Sequence, residues 1–365
     1  MYVERIERVR TYLLGKKIDA LLVSNFYNIL YLTGFKTLTT DEREAFVLIT
    51  QNKLYLFSDE RYLSKNYKLP TTNYELRLIE PKRGLLVHLK EIVGKEKIKT
   101  LGFEAEDLKY YEHFHISQQL AETKLMPTDR TLVKLREIKD EREIALIEKA
   151  CKITDKCLED TSKIVKVGVS EKELAFKLEV WLREKGYDLA FDPIVAVDEN
   201  SAIAHYNTKT GEGIVKKNSV ILVDFGVKYK DYLSDITRMI FFGKPTDGIT
   251  VAYENLLTAQ KKTIEKVTVS RKLREPDLFC RETLTARGYP NYPHSTGHGV
   301  GLEIHEYPKV SFTSEDDKKI GQVITIEPGV YFSGKWGMRI EDTVVIDDDL
   351  TARTLTKYPK EIQII

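Results

Sequence analysis

Apolar residues return at helical spacing in the first segment, where Val3, Ile6, Val9, Leu13 and Leu14 line one stripe, and an unbroken apolar run from Ala20 to Val23 follows. That order predicts a helix feeding a strand. The runs Ala45 to Thr50 and Leu54 to Ser58, joined by Gln51-Asn52-Lys53, read as a hairpin. A strand at Tyr74 to Ile79, a helix at Leu85 to Val93, a strand at Thr100 to Glu104 and a helix through Leu108 to Gln119 complete an α/β block. The stretch Met126-Pro127-Thr128-Asp129 interrupts the pattern, so the expected domains are residues 1–127 and 128–365.

Past the break, a long charged helix is expected to begin within Val133 to Ile164. Ser170-Glu171-Lys172-Glu173 opens another helix with the serine and glutamate of a capping box, and Gly186 ends it after Lys185. From Asp192 onward the chain reads as strands punctuated by glycine, with two further helices near Tyr253 to Val267 and Asp277 to Arg287. Long helices flanking an antiparallel sheet predict an α+β layer.

Bulk properties narrow the function classes. A chain of 365 residues exceeds the usual reach of one hydrophobic core, which agrees with two domains. With 42% hydrophobic and 31% charged residues it has a soluble globular composition. A net charge of +1 supplies no broad field for nucleic acid or anionic lipid, so neither is an expected partner. The start, MYVERIERVRTYLLGKK, carries charge in every turn, unlike a secretory signal, and no window approaches the ~18 apolar residues of a membrane span. Cys151, Cys157 and Cys280 form an odd set without metal-knuckle spacing and read as small apolar residues in a reducing cytoplasm.

Chemistry concentrates in three stretches. Val220 to Phe242, VILVDFGVKYKDYLSDITRMIFF, reads as two strands around a polar turn. If Tyr229 and Lys230 form a two-residue loop, Asp224 stands directly opposite Asp235. Facing carboxylates ~5 Å apart in an apolar hairpin repel unless a cation lies between them. The alternative is a slipped register that turns one Asp to solvent. Next, His294, His298 and His305 fall close together among glycines that allow close approach of backbone and ligand. Last, Thr325-Ile326-Glu327-Pro328-Gly329 and Met338-Arg339-Ile340-Glu341-Asp342-Thr343 each place a glutamate after an apolar residue, where a buried carboxylate needs a partner or a metal.

Together these residues resemble the metallopeptidases of the pita-bread fold, a family that includes prolidases, aminopeptidase P and methionine aminopeptidases. The motif contexts are VDFG, SDITR, GHGVGLEIHE, TIEPG and RIEDT. The resemblance implies Asp224, Asp235, His298, Glu327 and Glu341 as ligands of two divalent ions per chain, Mn, Co or Zn. It has Asp235 and Glu341 bridging the ions, Asp224 on one, and His298 with Glu327 on the other. All five are present, so the metal-free pattern of creatinase does not fit. The block Asn28-Ile29-Leu30-Tyr31-Leu32-Thr33-Gly34-Phe35 is similar to the smaller domain of the prolidase and aminopeptidase P branch. The implied fold is therefore a pita-bread catalytic domain of the α+β class, preceded by a smaller creatinase/prolidase-type α/β domain.

By the same resemblance His205, His294 and His305 surround the substrate, Glu327 carries a proton between water and leaving group, and Arg339 steadies nearby carboxylates. The implied reaction is hydrolysis of the Xaa-Pro bond of a small peptide with proline at its second position, by a homodimer. Some prolidases use an arginine after the HExP segment to read a dipeptide's carboxylate. Here the segment runs His305-Glu306-Tyr307-Pro308-Lys309, so Lys309 joins His205 and His305 as an expected substrate contact with charge but no bidentate fork. The competing readings are an aminopeptidase P acting on longer peptides and an inactive peptide-binding module, the latter opposed by the intact ligand set.

Overall fold

The computed structural model describes residues 1–64, 67–128, 130–362 and 364–365. Asp129, part of the expected break, lies outside them. The chain divides into two compact units, Met1–Arg136 and Glu137–Ile365.

The first unit is built on a six-stranded mixed sheet in the order Tyr74–Leu78, Leu54–Ser58, Ala45–Thr50, Ala20–Val23, Thr100–Phe103, Lys124–Pro127. The three strands Leu54–Ser58, Ala45–Thr50 and Ala20–Val23 are buried at every residue, which is why they read as continuous apolar runs rather than alternating ones. The helix Tyr2–Lys16 turns Ile6, Val9 and Leu13 inward, but Val3 and Leu14 are 43% and 64% exposed, so the buried stripe is narrower than its apolar pattern. A helix at Phe26–Thr33 has no such stripe to betray it, since FYNILYLT is apolar almost all round. Its ends are set locally: the Asn25 side chain accepts from the Asn28 amide at 3.0 Å, and Gly34 takes φ 72°.

The break at Met126-Pro127 is instead the end of the edge strand Lys124–Pro127, where a proline is tolerated. Residues up to Arg136 pack with the first unit. Arg136 donates from Nη1 to Asn28 Oδ1 at 3.0 Å, and Tyr31 donates to the Leu135 carbonyl at 3.4 Å. The junction therefore falls at 136/137 rather than at 127/128.

The expected long helix is two, Thr131–Glu137 closing the first unit at the junction and Glu141–Ser162 beginning in the second. Asp140 separates them by accepting from the amides of Arg142 and Glu143 at 3.0 and 2.9 Å, while Glu143 returns a bond to the Asp140 amide at 2.9 Å. The strand Ser219–Phe225 runs antiparallel between Ile194–Val197 and Ile236–Phe242. Its side chains alternate between two cores. Ile221, Val223 and Phe225 meet the helices Glu141–Ser162 and Glu171–Glu184, whereas Val220 and Leu222 meet Asp247–Val269 and Arg274–Thr285. Asp224 shares parity with Val220 and Leu222. A five-stranded antiparallel sheet, Glu306–Val310, Gly297–Gly299, Val323–Ile326, Asp342–Ile346, Ala352–Thr354, and the pair Gly329–Phe332 with Trp336–Arg339 supply the remaining acidic segments and the histidines.

The hairpin register differs from the expected one. Lys230 and Asp231, with φ 48° and 71°, form the two-residue turn, so Tyr229 pairs with Tyr232 and Asp224 faces Thr237. Two left-handed residues match the strand twist, and aspartate tolerates that conformation. Asp235 thus lies diagonal to Asp224 on the same face, a separation of ~7–8 Å between α-carbons.

Candidate metal centre

Five strand ends converge on one buried point. Asp224 comes from the middle hairpin strand, Asp235 from the bend before Ile236–Phe242, and His298 from Gly297–Gly299. Glu327 follows Val323–Ile326, its amide held by the Thr296 carbonyl at 2.8 Å. Glu341 sits between Trp336–Arg339 and Asp342–Ile346, its amide held by the Thr237 carbonyl at 3.1 Å. Asp235, His298 and Glu341 bring one ligand atom each within 4.8 Å of one another. His298 Nε2 stands 3.3 Å from Glu327 Oε1 and 3.7 Å from Asp235 Oδ2. Gly297 and Gly299 are required here: a β-carbon would stand 1.9 Å from the Thr325 carbonyl oxygen and 2.3 Å from the Tyr307 one.

The electrostatics are those of a site short of positive charge. Burial, then the charges of Glu341, Asp224 and Glu327, push the Asp235 carboxyl well above its usual range. Burial and the neighbouring Glu327 and Asp224 do the same to Glu341. Asp224 is also raised by burial, although Arg339 pulls the other way. Among the described residues, Asp224 Oδ1 and Asp235 Oδ1 are buried and accept no hydrogen bond. Buried carboxylate oxygens without donors are costly, and a cation satisfies them. The donor set fits: four carboxylates and an imidazole suit a hard or borderline divalent ion. His298 is oriented for it as well. Its Nδ1 lies 3.1 Å from the Gly299 carbonyl, which can only accept, so Nδ1 carries the proton and Nε2 faces the carboxylates.

Around this cluster the sequence-derived residues take different places. Arg339 is buried and donates to Asp224 Oδ2 at 2.5 Å, to Thr237 Oγ1 at 3.1 Å, to the Ala204 carbonyl at 3.1 Å and to the Tyr331 hydroxyl at 2.8 Å. Thr237 in turn donates to Glu341 Oε2 at 2.7 Å. His294 has both nitrogens engaged: Nδ1 donates to the Ser295 carbonyl at 2.8 Å, and Nε2 accepts from Tyr331, 2.9 Å away. Burial holds its pKa below the usual value. His305 is exposed, with its ring centroid 4.4 Å from that of His298. Partial burial, the charge on His298 and that of Lys309 among others lower it to about 4. His205 is exposed in the loop after a short helical turn, and Lys309 is exposed on Glu306–Val310, paired in register with His298.

Sequence reasoning did not single out Tyr331, which bridges Arg339 and His294. It also passed over Arg238 and Asp342, which form a nest behind Glu341. Arg238, 1% exposed, donates to Asp342 at 2.7 Å, to the Tyr358 carbonyl at 3.1 and 3.0 Å, and to the backbone carbonyl of Glu341. Asp342 further accepts from Gln260 at 2.9 Å, Thr356 at 2.8 Å and Lys360. A lone arginine inside the apolar run ITRMIFF was the available signal, since a charge there requires a buried partner.

Known proteins resemble this chain along its whole length. Residues 145–348 match metallopeptidase family M24, and residues 5–138 match the creatinase/prolidase N-terminal domain. The Xaa-Pro dipeptidase of Pyrococcus furiosus is 33% identical over 363 residues, covering 98% of this chain and 99% of that one. Among solved structures, the Xaa-Pro dipeptidase from Bacillus anthracis superposes with a TM-score of 0.90 at 33% identity, covering 100% of both chains. The X-Pro aminopeptidase from Thermotoga maritima gives 0.88 at 31% identity, covering 99% of each. Histidine and carboxylates gathered at strand ends, in a chain matched throughout its length, place this protein in metallopeptidase family M24, with a creatinase/prolidase N-terminal domain ahead of the catalytic one.

Proposed function

We propose that the protein is an Xaa-Pro dipeptidase that uses two divalent ions, Mn, Co or Zn, held by Asp224, Asp235, His298, Glu327 and Glu341. The observation that carries the proposal is the buried group of four carboxylates gathered near His298 Nε2, with Asp224 Oδ1 and Asp235 Oδ1 left without hydrogen-bond donors. The full-length likeness to Xaa-Pro dipeptidases supports the substrate class. When bound, such ions polarise the scissile carbonyl and acidify a water toward hydroxide near neutral pH.

The remaining work falls to side chains. Glu327 is held down to about 2: burial alone would raise it, but the His298 hydrogen bond and nearby positive groups prevail. It is thus ionised near neutral pH, and as the carboxylate beside His298 it would take the water's proton and pass it to the proline nitrogen as that nitrogen leaves. His305, neutral at pH 7 and next to His298, is the group free to donate to the developing oxyanion. His205 contacts the peptide from its exposed loop. Arg339 and Tyr331 hold Asp224 and His294 in place.

The Xaa-Pro bond has no N–H, and nothing in this scheme requires a donor from it. Lys309, close enough for its charge to act on His305, is positioned to attract a free carboxylate one residue beyond the cut. A single ammonium does so less directionally than a guanidinium fork. The likeness to an X-Pro aminopeptidase keeps longer peptides as the second reading. A cytoplasmic location belongs to the same proposal, supported by three buried free thiols, and so does a homodimer, on the resemblance alone. The test is hydrolysis of Ala-Pro against Ala-Pro-Ala with each metal added. The dipeptidase reading expects faster cleavage of Ala-Pro, and faster cleavage of the tripeptide would overturn it.

A further inference from the structure

Glu171 is fully buried at the first turn of the helix Glu171–Glu184, and the chemistry above makes no use of it. Ser170 does cap the helix, accepting from the Glu173 amide at 3.2 Å, but Glu171 turns the other way. Its carboxylate accepts from the Val197 amide at 3.2 Å, from Asn200 Nδ2 at 3.2 Å to each oxygen, and from the Tyr206 hydroxyl. The chain then wraps over it. A β-carbon at Gly211 would stand 1.9 Å from one carboxylate oxygen, and one at Gly213 would stand 2.3 Å from the other. The Glu171 amide also donates to the Gly213 carbonyl at 3.0 Å.

The wrapped segment is the one that carries His205. The histidine is exposed and has no hydrogen bond of its own among those described, so its position depends on its neighbours. On one side Ala204 is tied by its carbonyl to Arg339, and Ser201 accepts from the Gly337 amide at 2.9 Å. On the other side Tyr206 is tied to Glu171. His205 is thus bracketed between an arginine that grips a metal-site carboxylate and a tyrosine gripped by Glu171.

We infer that Glu171 is a positioning residue for substrate binding: through Tyr206 and Asn200 it fixes the loop that presents His205 to the peptide. The inference rests on the proposed contact between His205 and substrate. A carboxylate suits the task because bonds to a charged acceptor are stronger than neutral ones, and Gly211 and Gly213 leave it room where a β-carbon would collide. The Tyr206 ring packs in the core with the catalytic strands, so removing only its hydroxyl spares the fold.

The experiment measures steady-state kinetics on Ala-Pro, with bound metal quantified, for Tyr206→Phe, Glu171→Gln, His205→Ala and the double variant His205→Ala/Tyr206→Phe. Loss of a supporting bond of this kind should raise KM by about tenfold for Tyr206→Phe and for Glu171→Gln, with kcat and metal content little changed. In the His205→Ala background, Tyr206→Phe should add nothing, because the group it positions is gone. A general loosening of the fold would instead lower kcat or metal content in both backgrounds. If His205→Ala raises KM but Tyr206→Phe leaves it unchanged, or if the two effects add, the positioning role is overturned while the contact stands. Unchanged kinetics in His205→Ala would overturn both.

Discussion

Glu341 and Asp342 are neighbours in sequence, both buried, and they sit in opposite electrostatic worlds. Asp342 faces Arg238 and Lys360, and although burial opposes it, their charges and hydrogen bonds hold it far below the usual carboxylate range. Glu341 faces the other way, toward the carboxylate cluster, and burial with the charges of Glu327 and Asp224 drives it well above that range. Among the described residues, the nest has two cations for one carboxylate, whereas the four carboxylates of the cluster share Arg339 and His298. A buried carboxylate with its own counter-charges is a structural device. A group of them without enough counter-charge is a vessel for cations from solution.

The largest expected effect breaks the cluster side. Asp235→Asn, which neutralises a carboxylate shared between the proposed ions, should lower turnover by about 10³-fold or more, with ion uptake reduced and the fold intact by circular dichroism. Near-normal turnover with full metal content would remove Asp235 from the ligand set. On the nest side the cost should appear as stability. Asp342→Asn leaves buried Arg238 and half-buried Lys360 without their anion, a loss of about 3–5 kcal/mol in denaturant unfolding of the metal-free protein. A change below about 1 kcal/mol would mean that the nest is not structural.

Two smaller effects sharpen the contrast. His305→Ala borders the cluster without joining it, so ion content should hold while kcat falls by about 10²–10³-fold. Stoichiometric metal loss would make it a ligand instead. Glu341→Gln in the metal-free protein should change stability by less than about 1 kcal/mol, or raise it, because it relieves repulsion while Thr237 keeps a partner. Destabilisation on the scale of Asp342→Asn would erase the distinction between the two carboxylates.

What could be read from the chain follows the same division. Patterned features were legible: buried strands as apolar runs, helices by stripe and cap, and ligand candidates as acids and histidines placed where apolar neighbours foretell burial. The hairpin turn was misplaced by one residue because Tyr229 was read as a turn residue, whereas Asp231, of a type that tolerates the left-handed conformation, fills the turn with Lys230. Even so, Asp224 and Asp235 kept a common face, since the slip preserves the strand's period of two. The helix Phe26–Thr33 escaped because an apolar stretch has no period to read. Supporting residues escaped for a different reason. Arg238 meets Asp342 across 104 positions of chain, and Glu171 meets Tyr206 across 35, and no local spacing announces such partners.

The central claim is that the carboxylate cluster exists to hold cations. Calorimetric titration of the metal-free protein with Mn²⁺, run beside Asp235→Asn, tests it most directly. The account predicts uptake of two ions per wild-type chain, each stabilising the fold by about 2.7 kcal/mol when free Mn²⁺ is a hundred times its dissociation constant, with that uptake lost or halved in Asp235→Asn. No uptake by the wild-type chain, with Co²⁺ and Zn²⁺ equally inert, or identical uptake by the variant, would contradict it.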